Sequence, residues 1–114
     1  MNALAQLQEW YQAQCNGDWE HTYGVSIGTL DNPGWSLEVD LTDTALEGQQ
    51  FKPVAHGVAA ESLEDNLDWF VCEVKGKNFV ASGGPRKLDE MILAFVDWAG
   101  GHPPNKSLER TREG

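Results

Sequence analysis

Apolar side chains recur at helical spacing near both ends of the chain and at every second position in between. Residues 3 to 15 place Leu4, Leu7, Trp10 and Tyr11 among alanines and glutamines, which predicts a helix that Asn16-Gly17 stops. Val25 to Leu30 is short and β-branched. Trp35 to Leu41 alternates strictly, with Trp35, Leu37, Val39 and Leu41 on one face and Ser36, Glu38 and Asp40 on the other. Between these two strands, Asp31-Asn32-Pro33-Gly34 suits a hairpin with Pro33 at the first central position of a type II turn and Gly34 where φ must be positive.

The second half of the chain repeats the alternation and then returns to helical spacing. Thr42 to Gln50 is polar and reads as a connection. Phe51 to Ala59 is a weaker strand, which Pro53 and Gly57 confine to an edge or a bulge, and Glu61 to Asp68 is acidic and turn-like. Trp69 to Lys75 begins apolar on both faces, as a central strand does, and Gly76-Lys77-Asn78 turns it into Phe79 to Ala81, a second hairpin. Pro85 suits the first position of a helix in which Leu88, Met91, Ile92, Phe95 and Val96 recur at helical spacing up to Gly100-Gly101.

These elements predict an α+β fold: an antiparallel sheet of about five strands, built on two hairpins, with the N-terminal and C-terminal helices packed on one face. The other face is open or half-covered. The pattern assigns residues 1–101 to a single domain and residues 102–114, aperiodic and poor in apolar side chains, to a disordered tail. The strand order is not legible from it.

Composition narrows the class. A folded chain of 114 residues buries roughly two-thirds of the surface its unfolded form exposes, enough for a core without staples. The first ten residues lack the basic and apolar regions of a signal peptide, and no apolar run reaches membrane-spanning length, so a cytoplasmic location is expected. In that compartment Cys15 and Cys72 are expected as free thiols.

Charge carries more. The formal net charge is −10, and residues 1 to 101 hold 16 acidic against 5 basic side chains, leaving the tail at +1. A body this acidic repels nucleic acid and anionic membranes, while it suits a basic protein surface; acidity also serves plain solubility.

Candidate chemistry concentrates between Cys15 and Trp35. Asp18, Glu20 and His21 bring carboxylates and an imidazole close together, a combination that can move protons or bind a metal. Glu20 and His21 point apart on an extended segment, however, and no second acid–histidine pair completes a known pattern. The bland alternative is an Asx turn at Asp18 with Trp19 packed in the core. Cys15, His21, His56 and Cys72 lie singly, without the paired spacing of structural zinc sites, and no metal or cofactor is expected. Ser82-Gly83-Gly84-Pro85-Arg86-Lys87 reads as a loop before a helix rather than a phosphate fingerprint. Trp19 and Trp35, at loop or strand edges, are the tryptophans placed to anchor an interface, and Trp69 and Trp98 belong to packing.

Leu7-Gln8-Glu9-Trp10-Tyr11, Gln14 to His21, Tyr23-Gly24 and Thr29 to Trp35 together resemble the bacterial immunity protein 53 family of polymorphic toxin systems. The likeness is close over the first third of the chain and continues more loosely through Trp69 to the helix at Leu88 to Trp98. It implies a cytoplasmic antidote that binds and neutralises a cognate toxin domain and has no catalysis of its own. The motif residues fall on Asp18, Trp19, Glu20, His21, Asp31, Asn32, Gly34 and Trp35.

The partner surface expected on this basis comprises Asp18, Trp19, Glu20, His21, Asp31, Trp35, Glu38 and Asp40, facing a basic toxin for which a nuclease is one candidate. The competing readings are a small enzyme or ligand-binding domain using Asp18, Glu20 and His21, and a structural adaptor with no toxin.

Overall fold

A computed structural model gives the fold and describes residues 2–31, 33–57 and 67–101. The acidic stretch before Leu67, the end of the strand expected up to Ala59, Asn32 of the hairpin turn and the tail expected after Gly101 lie outside the described residues.

Asn2 starts the first helix by accepting the Ala5 N–H on its side-chain oxygen at 2.8 Å, satisfying a donor that a helix otherwise leaves orphaned. This helix, α1 (Ala3–Gln14), is followed by a single-turn helix, α2 (Trp19–Thr22), inside what the pattern reads as a loop. Five strands follow: β1 (Val25–Leu30), β2 (Gly34–Asp40), β3 (Val54–His56), β4 (Phe70–Lys75) and β5 (Asn78–Gly83). The C-terminal helix, α3 (Leu88–Gly100), completes the domain. All five strands form one antiparallel sheet in the order β1-β2-β5-β4-β3, so the expected α+β architecture is the one observed.

The two hairpins, β1–β2 and β4–β5, meet through β5, which pairs with both β2 and β4. Register puts Leu37 opposite Ala81, Val39 opposite Phe79 and Cys72 opposite Ala81, which gathers the apolar side chains of three strands on one face. α3 lies over that face, burying Met91, Ile92, Phe95, Val96 and Ala99, and α1 packs on α3. Edge-to-face aromatic contacts run through this layer: Trp10 on Phe95 (4.9 Å), Phe95 on Phe79 (5.0 Å), Phe79 on Phe51 (5.3 Å) and Phe51 on Trp98 (5.0 Å). Each such pair contributes about 0.5–1.5 kcal/mol beyond the area it buries. Among the described residues, no helix packs on the opposite face of the sheet.

Three local expectations are corrected. Gly34 does not have positive φ; it is the first residue of β2, paired with Leu30, and a Cβ there would collide with the Gly83 carbonyl oxygen. Close approach of β2 to β5, not turn geometry, requires glycine at this position. Pro85 does not open the helix. It sits in a turn closed by the Lys87 N–H on the Gly84 carbonyl, and α3 begins at Leu88. The connection after β2 is more than a polar linker, since Leu41 and Leu46 are both fully buried and Thr44 folds the segment back by donating its hydroxyl to the Leu41 carbonyl. The second hairpin is tight as expected: Gly76, φ +61, takes the first central position of a two-residue loop, the place a type II′ turn gives to glycine.

Candidate functional site

The segment from Asn16 to Gly24 is organised by two side chains. Asn16 Oδ1 accepts the N–H groups of Asp18 (2.9 Å) and Trp19 (3.0 Å), so the Asx turn expected at Asp18 is built by Asn16 instead. Glu20 reaches back in the other direction, its two carboxylate oxygens accepting the Asn16 and Gly17 N–H groups at 2.9 Å each. The N–H of Glu20 itself, then those of Asn16 and Gly17, hold this carboxyl below its ordinary value. Trp19 is 4 % exposed. Its indole N–H donates to the Thr42 carbonyl at 2.9 Å, and its rings meet Trp10 and Tyr11.

The hairpin residues divide in the same way. Asp40 Oδ2 accepts the Gly24 N–H at 3.0 Å while the Asp40 N–H donates to the Gly24 carbonyl, a clamp that starts the β1–β2 ladder. Trp35 is half-buried against the core and donates its indole N–H to the Pro85 carbonyl at 3.0 Å. Asp18, His21, Asp31 and Glu38 are exposed. Glu38 stands on the helix-free face, where Asn78 Nδ2 donates to its Oε2 at 2.6 Å, and in the same cross-strand row lie Ser26, Val80 and Glu73.

A family model described as immunity protein 53 matches residues 4–100 of the 114. The chain belongs to the immunity protein 53 family. No curated protein and no solved structure matches it.

Within this immunity protein the eight expected residues do not form one cluster. Asp31 caps the far end of the β1–β2 hairpin, and the Asp18–His21 turn sits at the near end, six strand residues or about 20 Å away. Trp19, Trp35, Glu20 and Asp40 face inward or hold backbone, whereas Asp18, His21, Asp31 and Glu38 present charge or polarity to solvent. Both Glu20 oxygens are committed to backbone donors, which makes this carboxylate a poor general base. Among the described residues, a surface groove between α1 and β1 and another between α1 and α3 are lined by neither Asp18, Glu20 nor His21.

Other candidate chemistry resolves into structure. Cys72 is 1 % exposed and burial pushes its thiol up to about 11, while Cys15 is half-buried with its Sγ on the Tyr11 carbonyl; both are free. Among the described residues no group of three or more His, Cys, Asp or Glu side chains could hold a metal ion. Lys87 is taken up by Asp68 and Glu90, a contact between the segment leading into β4 and the start of α3 rather than an anion cradle. No helix among the described residues is long and apolar enough to cross a membrane.

The α1–β1 groove escapes the hydrophobic pattern. Leu4 and Tyr11 read as core positions of α1, yet they are 48 % and 39 % exposed, and Ile27 of β1 is 41 % exposed. A signal was present in β1 itself, where Val25, Ile27 and Thr29 alternate with small residues and no charge interrupts the strand.

Proposed function

We propose that this chain is an antidote that binds a cognate toxin domain in the bacterial cytoplasm and neutralises it by occupancy, without a reaction of its own. The observation that carries this reading is the match to immunity protein 53 across residues 4–100. The exposed carboxylates Asp18, Asp31 and Glu38 supply the charge that meets a basic, substrate-binding surface on the toxin, as on a nuclease, and His21 is exposed in the same turn as Asp18. Complementary charge accelerates encounter and fixes orientation, and a partner seated on the substrate surface excludes substrate. Glu20, Asp40, Trp19 and Trp35 act one layer behind, holding the loop and the hairpin that present those groups.

Co-expression with the toxin domain encoded beside this gene tests the reading. Survival of the host and co-purification of a one-to-one complex are expected. Death of the host while the chain is soluble and folded would contradict it.

A further inference from the structure

The two edges of the sheet are not alike. At the β3 edge the strand is three residues long, and its flanking Pro53 has no N–H to offer. β1, at the other edge, is six residues long and contains no charge, no proline and no bulge, the devices that normally keep an edge from pairing.

The ladder states which groups of β1 are free. The Asp40 N–H donates to the Gly24 carbonyl, so Gly24 and Asp40 form a hydrogen-bonded pair. Bonded and non-bonded pairs alternate along an antiparallel ladder. With Val25 opposite Val39 and Ile27 opposite Leu37, the backbone groups of Ser26, Gly28 and Leu30 face β2, and those of Val25, Ile27 and Thr29 face outward. The next ladder agrees: the Leu41 N–H on the Lys77 carbonyl points residues 35, 37 and 39 toward β5, which leaves 36, 38 and 40 for β1. Three N–H and three C=O groups thus stand along this edge, and among the described residues no backbone group pairs with them.

Beside the edge lies a groove of about 440 Å³, floored by Val25 and Ile27 and walled by Leu4, Leu7 and Tyr11 of α1. It exists because α1 packs on α3, which covers β2, β5 and β4 and stops short of β1. An added strand would place alternate side chains in this groove and complete the apolar layer.

Charge selects the occupant. No lysine or arginine precedes Lys52, so the segment from α1 to the end of β2 carries Glu9, Asp18, Glu20, Asp31, Glu38 and Asp40 with no Lys or Arg to offset them. Two copies paired through β1 would bring these like charges together, whereas a basic chain would not.

We propose that the outer edge of β1 is where the toxin docks, through an extended segment of a basic domain that adds a sixth strand and sets apolar side chains into the α1–β1 groove. This inference rests on the antidote reading and adds to it the surface and the mode of binding.

The test uses the full chain and the toxin domain encoded beside its gene. Ile27→Pro removes one outward N–H and none from the ladder, and is expected to weaken the complex about tenfold or more. Amide hydrogen exchange on the unsubstituted chain supplies a second readout independent of any folding defect. Val25, Ile27 and Thr29 amides are expected to exchange fast in the free chain and to become protected in the complex. Three results overturn the inference: a wild-type complex in which those amides stay fast, an Ile27→Pro variant that binds as tightly as wild type, or a homodimer of the free chain that protects them. The first two leave the antidote reading standing. Failure of the wild-type chain to bind or protect against this toxin removes both.

Discussion

Glu20 shows how a residue that reads as chemistry serves architecture. Its carboxylate ties the end of α1 to the start of α2 through two backbone N–H groups, and those donors favour its ionised form. A carboxyl whose folded pKa is depressed contributes stability above its ordinary value, here 4.5, and that contribution is lost as pH falls through the lower folded value. Glu20→Gln is therefore expected to lower the urea midpoint near neutral pH and to narrow its gap from wild type as the buffer is taken progressively below that ordinary value. A gap that stays constant from neutral to acid would show that the charge on Glu20 is not what holds the turn. Trp19 depends on the same turn, since Asn16 and Glu20 set the path that carries its indole to Thr42.

At the scale of elements, β1 is the strand with one satisfied side. Ser26→Pro and Ile27→Pro impose the same ring on neighbouring positions and differ in which donor they delete. The first removes an N–H facing β2 and is expected to cost about 1–3 kcal/mol more than the second, measured as denaturant midpoints of the free chain. Equal losses would mean that the assigned alternation of the ladder is wrong. Much of this layer was legible from side chains alone: the alternation of Trp35, Leu37, Val39 and Leu41 identified the buried face of β2, and helical spacing identified the buried stripe of α3. What the pattern could not carry was relational. That Gly34 meets Gly83 depends on β5 lying beside β2, a pairing between distant segments. That Leu4 and Tyr11 are exposed depends on where α1 ends up over the sheet, and periodicity reports only that a helix has an apolar side. For the site, the residue types of the Asn16–His21 turn were visible, but their division into holders and presenters required hydrogen-bond partners from elsewhere in the fold.

Over the whole molecule, charge and topology coincide. The five Lys and Arg side chains of the described residues are Lys52, Lys75, Lys77, Arg86 and Lys87, all after the connection that follows β2. Lys75, Lys77 and Lys87 are engaged by Glu73, Glu47 and Asp68 with Glu90. The half of the domain that carries the open edge is left anionic, with carboxylates at both ends of β1 and on the helix-free face. An anionic surface beside an unpaired strand and an apolar groove fits the partner proposed above, a basic protein with an extended segment to contribute. The central claim is that contact with this chain silences such a toxin. The most direct measurement is a titration of the purified toxin domain, its activity assayed at fixed concentration, with the purified chain. Activity is expected to fall in proportion to added chain and to vanish at one equivalent; a toxin that remains fully active in the presence of excess folded chain would contradict the account.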